Sequence, residues 1–204
     1  MGWLPHVRRF WLLMIKEVLE EGWLLFEPEF LSQKEADTLF HRLDGSLPWR
    51  QGKVTLFGKT FDTPRLESLH VFNGKSYHYS GNTLVAHPFT EELEDVKNKI
   101  ELVSGESFNC VLANLYRDGK DSNGWHADNE KELGRNPVIA SISLGAERRF
   151  DMKHTATGVS KQLILPHGSL LIMGGSMQHH WKHCIAKSKK VLEPRINLTF
   201  RTLI

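Results

Sequence analysis

Only two of the 204 residues are cysteines, Cys110 and Cys184, and no Cys-x-x-Cys pair occurs. That scarcity argues against a disulfide-stapled scaffold or a thiolate zinc site, and it points to a reducing, intracellular setting. Charge of one sign is also scarce. The 26 Lys and Arg against 24 Asp and Glu leave a formal net charge of +2, which is compatible with nucleic acid without announcing it. The apolar stretch Phe10 to Ile15, after Arg8-Arg9, is broken at Lys16-Glu17. It is far too short for a bilayer span and lacks the small-residue cleavage site of a secretory leader, so no membrane association is expected. Val7, Trp11, Met14 and Val18 suit one face of a helix, so an N-terminal amphipathic helix is predicted. Repeats, low-complexity segments and linkers are missing as well, which predicts one domain over 1–204, expected to be a monomer.

What is present divides into a helical part and a strand part. Residues 22–30 read as a short strand and turn. Ser32 and Glu35 have capping-box spacing, and Ala36, Leu39, Phe40 and Leu43 follow at helical intervals, predicting a helix that ends near Leu47-Pro48. Residues 53–72 read as strands around a Phe57-Gly58 turn. A further helix is predicted from Pro88 to Val103, with Leu93, Val96, Ile100 and Val103 on its buried side. Strand-like runs then follow at 108–116, 138–144, 148–153, 161–165, 169–173 and 195–201. The predicted class is α+β: N-terminal helices packed on a β-sandwich or jelly-roll core.

The last run carries the first chemical signal. Ile196, Leu198 and Phe200 share one face of a strand, and Arg195, Asn197, Thr199 and Arg201 share the other. If that second face points inward, its guanidinium groups need anionic partners. Arg195 and Arg201 lie roughly 20 Å apart along a strand, and arginine forks suit the two ends of a short dicarboxylate. Upstream, His126-Ala-Asp128 puts an imidazole and a carboxylate on one side of an extended segment. A third histidine would complete a two-histidine, one-carboxylate triad for Fe(II) with open coordination positions. His179, His180 and His183 compete for that place, and spacing alone does not choose among them.

The segments NLYRDGKDSNGWHADNE, PHGSLLIMGGSMQHHWKH and PRINLTFR together resemble the AlkB family of Fe(II)/2-oxoglutarate dioxygenases, nearest the branch that prefers double-stranded DNA. The resemblance runs from about Val54 to Arg201. It implies a double-stranded β-helix, with a nucleotide-recognition segment at 53–82 and a catalytic core at 108–201. It implies Fe(II) on His126, Asp128 and His183, and 2-oxoglutarate on Asn114, Tyr116, Arg195, Thr199 and Arg201, with O₂ as co-oxidant. The implied reaction hydroxylates the N-methyl group of a base such as 1-methyladenine or 3-methylcytosine. Succinate and CO₂ form, and formaldehyde leaves.

For the nucleic acid, the resemblance implies a base pocket of Tyr77, Tyr79, Ser80 and Arg65, with Glu130 at the exocyclic amine. It implies an aromatic wedge at Phe57-Gly58 and phosphate contacts from Lys189 and Lys190. Asn129 stands where that branch has an acid, Ser188 where it has a base, and 155–160 is shorter and less basic. Strand preference is therefore open. DNA is the expected partner, with RNA as a second. The expected location is cytoplasmic in a bacterium and nuclear in a eukaryote. Rival readings are an oxygenase acting on RNA or a non-nucleic substrate, and a non-catalytic reader of alkylated DNA.

Overall fold

The structure is a computed structural model that describes residues 15–56, 58–72, 77–79 and 82–204, with side chains for all of these except 15, 55, 56, 77–79 and 82–84. In chain order the elements are β1 (Ile15–Leu19), β2 (Gly22–Glu27), α1 (Gln33–Ser46), β3 (Arg50–Leu56), β4 (Lys59–Val71), β5 (Tyr77–Tyr79), β6 (Asn82–Leu84), β7 (Ala86–His87) and α2 (Glu91–Ser104). Then come β8 (Cys110–Tyr116), β9 (Asn123–His126), β10 (Ile139–Gly145), β11 (Arg148–His154), β12 (Ser160–Leu165), β13 (Ser169–Gly174), α3 (Met177–His180), β14 (Trp181–Ile185) and β15 (Arg195–Arg201).

Both long helices start where side-chain chemistry satisfies their first amide groups. Ser32 caps α1 in a capping box with Glu35, and Thr90 caps α2 by accepting from the Leu93 amide. The Thr90 cap explains why α2 begins at Glu91 and not at the predicted Pro88. Ala36, Leu39 and Leu43 from α1 and Leu93, Val96 and Ile100 from α2 are buried against one face of a large sheet. That sheet runs β1-β2-β13-β10-β15-β8-β4-β3, with β7 alongside β4. The face under the helices is built by period-two alternation: Val111, Ala113 and Leu115 from β8, and Ile196, Leu198 and Phe200 from β15. Burying a side chain such as Phe200 contributes about 1.5–3 kcal/mol.

The opposite face of the large sheet looks inward at a smaller sheet of order β12-β11-β14-β9. Leu24, Leu112, Phe150, Met152, Met173 and Trp181 fill the space between the two. An ion pair between Lys161 on β12 and Glu17 on β1, at 2.7 Å, ties the outer strands of both sheets together. This is the expected jelly roll with helices on its outer face. The polar face of β15 is therefore the interior one, and all seven of its residues are buried.

The predicted N-terminal helix is corrected where the structure describes it. Residues 15–19 form β1, paired antiparallel with β2 from Ile15↔Phe26 to Leu19↔Gly22. Val18, a supposed apolar anchor of that helix, is 80% exposed. Hydrogen bonding to the waiting edge of β2 outweighs a helical periodicity that here rests on one side chain. Val7, Trp11 and Met14 lie outside the described residues. Strands β9 and β14 are not among the strand-like runs read from the sequence, where only His126–Asp128 reads as extended, and both carry candidate site residues. Among the described residues no helix is long and apolar enough to cross a membrane.

Candidate active site

The small sheet brings two candidate ligand histidines together. β14 pairs with β9 so that His183 lies opposite His126, with a register irregularity just beyond. Their rings meet edge-on at 4.3 Å. Asp128 follows two residues after His126, and its Oδ2 lies 3.6 Å from His183 Nε2. One ligand atom from each of His126, Asp128 and His183 falls within 4.8 Å of the others. Of the three histidines that competed for the third place, the structure brings His183 to the pair. His179 Nε2 donates to the Arg135 carbonyl, and His180 faces Glu21.

Hydrogen bonding prepares these groups for a cation. His126 Nδ1 donates to the Gly124 carbonyl at 2.8 Å, so Nε2 keeps its lone pair. Phe150 stacks on His183 at 5.1 Å and fixes that ring. Burial pushes the His183 imidazole down to about 3, which keeps it neutral and able to ligate. Burial alone would raise Asp128. The Arg201 guanidinium, 2.6 Å from Oδ1, instead holds its carboxyl well below the usual range. Two neutral imidazoles and one ionised carboxylate suit Fe(II) and leave coordination positions free.

The large sheet supplies positive charge to the same cavity. Asn114, Tyr116, Arg195, Thr199 and Arg201 line it with the three candidate ligands. Arg195 is 1% exposed; its Nη2 donates to Ser143 Oγ at 2.9 Å, and its Nε and Nη1 meet no hydrogen-bond partner. Burial draws this guanidinium down to about 10. A buried cation with two unused donors fits a carboxylate, and 2-oxoglutarate carries two. The Tyr116 ring lies 5.2 Å from the Arg195 guanidinium and 5.6 Å from that of Arg148. Thr199 donates to Asn197 Oδ1 at 3.1 Å. Arg201 lines the cavity while pairing with Asp128.

The expected nucleic-acid residues are more scattered. Arg65 is buried and fully engaged: Nη2 pairs with Glu67 at 2.8 Å, Nε donates to Asn114 at 2.8 Å, and Nη1 donates to Asn123 at 3.1 Å. It braces the cavity wall from behind. Glu130 is partly buried, and its Oε2 has no hydrogen-bond partner; burial raises its carboxyl. Gly58 takes φ +73° at the exposed β3–β4 turn, where a Cβ would be strained. Lys189 and Lys190 are exposed on the loop after β14. Phe57 and Ser80 lie outside the described residues, as do the side chains of Tyr77 and Tyr79.

Three residues that sequence reasoning missed support the site. Asn123 Oδ1 accepts from Arg65, and its Nδ2 donates at 3.2 Å to the His126 Nε2 lone pair, the one a metal would take in its place. Arg148, 2% exposed, donates to the carbonyls of Asp118, Asp121 and Ala186, holding the loop before β9 against the loop after β14. Gln178 Oε1 accepts from the Asp128 amide at 3.0 Å. Arg65 for Asn123, Asp128 for Gln178 and the three carbonyls for Arg148 are distant in sequence and gave no local signal.

A second cluster, Glu21, His154 and His180, also gathers ligand atoms within 4.8 Å. Its hydrogen bonding is wrong for a metal. The Thr157 amide donates to His154 Nδ1 at 3.1 Å, which leaves the proton on Nε2, aimed at Glu21 at 2.9 Å. A metal-bound histidine donates from its remote nitrogen, and here that nitrogen accepts.

A jelly roll holding a two-histidine, one-carboxylate site beside a buried arginine defines a metal-dependent oxygenase class. The model of the 2OG-Fe(II) oxygenase superfamily matches residues 24–201, and the chain belongs to that superfamily. Within it the chain falls in the AlkB family. It is 42% identical over 186 residues to the Bos taurus alpha-ketoglutarate-dependent dioxygenase alkB homolog 3, covering 86% of this chain and 64% of that one. It is 39% identical over 181 residues to the Homo sapiens DNA oxidative demethylase ALKBH2, covering 83% of this chain and 69% of the relative. The chain thus spans slightly less than two thirds of the bovine relative. The solved structure of OsALKBH1 shares the fold at a TM-score of 0.57 and 18% identity, covering 92% of this chain and 100% of that one.

Proposed function

We propose that this protein is an Fe(II)/2-oxoglutarate-dependent oxygenase that removes N-alkyl groups from nucleic-acid bases, with alkylated DNA as its substrate. The observation that carries this reading is the cavity itself, where His126, Asp128 and His183 lie beside a buried Arg195 with two unused donors. The kinship with a DNA oxidative demethylase directs the choice of substrate. Fe(II), 2-oxoglutarate and O₂ supply oxidation of a C–H bond coupled to formation of succinate and CO₂.

The side chains of this protein perform the rest. His126, Asp128 and His183 hold the metal. Arg195 binds the cosubstrate carboxylate, Asn114, Tyr116 and Thr199 line its pocket, and Arg201 keeps Asp128 ionised beside it. Glu130 offers its unpartnered Oε2 to the exocyclic amine of the base. Phe57, Tyr77, Tyr79 and Ser80 serve the flipped base and the gap it leaves, and Lys189 and Lys190 serve the phosphates. The product carries a hydroxymethyl group on nitrogen, which breaks down to formaldehyde and the restored base.

The test is incubation with Fe(II), ascorbate, 2-oxoglutarate and an oligonucleotide bearing 3-methylcytosine, single-stranded and duplex, read by mass. Loss of one methyl mass that requires 2-oxoglutarate is expected. Arg195→Ala should raise the 2-oxoglutarate KM by about 30-fold or more, since it removes a buried charged contact worth about 2–5 kcal/mol. Unaltered oligonucleotide in the presence of 2-oxoglutarate turnover would overturn the substrate, and no turnover with any alkylated base would overturn the reading.

A further inference from the structure

Asp128 is gripped at three points. Its Oδ1 meets Arg201, its Oδ2 faces His183, and its backbone amide donates to Gln178. The third contact ties the backbone of Asp128 to α3, beside the place where β9 pairs with β14. Gln178 sits on α3, five residues before His183, and Asp128 lies fifty positions earlier in the chain. Gln178 is 1% exposed, so its amide is taken out of water and its geometry is fixed by its partners. Oε1 takes the Asp128 amide, while Nε2 lies 3.9 Å from the Met173 sulfur, a weak contact. The buried carbonyl of Gln178 therefore has one strong use, and that use is the backbone of a candidate metal ligand.

The support beneath α3 is firm. Ser176 Oγ donates to the Glu21 carbonyl at 2.7 Å, and Trp181 Nε1 donates to the Glu20 carbonyl at 2.9 Å. A Cβ at Gly22 would come within 2.8 Å of Met177 Cβ, so the β1–β2 turn presses directly on the helix. Gln178 thus reaches Asp128 from a platform braced on both flanks.

On the reading of His126, Asp128 and His183 as the metal centre, we propose that Gln178 is a positioning residue for the metal. It fixes the backbone of Asp128, so that with Oδ1 held by Arg201 the free Oδ2 points at the cation. A neutral amide does this without adding charge to a site that already carries one carboxylate.

The test compares wild type, Gln178→Met and Gln178→Glu by Co(II) titration, followed through the visible d–d bands, with thermal unfolding recorded for each. Methionine keeps the length and volume but removes the acceptor. Glutamate keeps an acceptor oxygen of the same reach. Gln178→Met should weaken Co(II) binding by about 10-fold or more and change the band shape, the usual cost of losing an outer partner of a ligand. Gln178→Glu should bind as tightly as wild type or tighter. The opposite order, with Met normal and Glu impaired, is what a space-filling role gives and would overturn the proposal. Equal binding by all three would overturn it as well. Wild type that binds no Co(II) would overturn the metal centre and this inference with it.

Discussion

Two histidines and a carboxylate meet at His126, Asp128 and His183, and again at Glu21, His154 and His180, with ligand atoms within 4.8 Å in both cases. The difference lies in where the protons are. At the first cluster His126 gives its Nδ1 proton to a carbonyl and turns a lone pair inward. At the second, His154 accepts on Nδ1 and turns a proton inward, and His180 Nδ1 lies 2.7 Å from the same Glu21 oxygen. Asp128 is buried and held by a guanidinium, whereas the Glu21 side chain is 44% exposed. Residue type and proximity therefore do not define a metal site; the hydrogen bonds behind the ligands do. The second cluster is a fastening for the β1–β2 turn, where Glu21 holds φ +59°.

Replacing each carboxylate by its amide would break this comparison most sharply. Asp128→Asn keeps an acceptor for Arg201 but removes the charge that the proposed metal would meet. Co(II) affinity should fall by more than the roughly 10–100-fold that an outer partner costs, and turnover should vanish. Titration of metal against both amide variants measures this. Normal metal binding by Asp128→Asn would move the site elsewhere.

Protonation sharpens the contrast further. Burial holds His183 at about 3 in the fold, against an ordinary 6.5. Between those values the unfolded chain carries a proton at His183 that the folded chain does not. The unfolded state is thus favoured as pH falls, and stability of the metal-free protein drops from about pH 6.5 toward 3, at up to about 1.4 kcal/mol per unit. Urea unfolding of metal-free wild type and His183→Gln across that range should show a shallower loss in the variant. Identical slopes would mean that His183 takes up its proton while folded.

Much of this was legible in the sequence, and the limits have physical causes. The alternation of Arg195 to Arg201 is local, so its two faces could be read directly, and the Ser32–Glu35 cap announces α1 in the same way. Which anion each arginine meets is not local: Arg201 finds Asp128 seventy-three positions away. His183 emerged from three candidates through resemblance, and its strand is five residues long with no pattern of its own. Gln178 and Arg148 matter through partners that only the closed barrel provides, and so does Asn123 through Arg65. The helical reading that included Val18 fails over the described residues 15–19, because these join a strand edge whose presence no nearby residue signals.

The smallest expected effect is at the fastening. Glu21→Gln removes the charge that both His154 and His180 face, and an amide oxygen serves one of them while its nitrogen confronts the other. With Glu21 partly exposed, the loss should be about 1 kcal/mol of stability. Co(II) affinity should not change, because the contacts that carry α3, from Ser176 and Trp181 to the carbonyls of Glu21 and Glu20, involve backbone and survive the substitution. Denaturant unfolding and metal titration on the same sample separate the two quantities. If Glu21→Gln lost metal as Asp128→Asn should, the fastening would be a second metal site, and the proton on His154 Nε2 would have to sit on Nδ1, against the Thr157 amide.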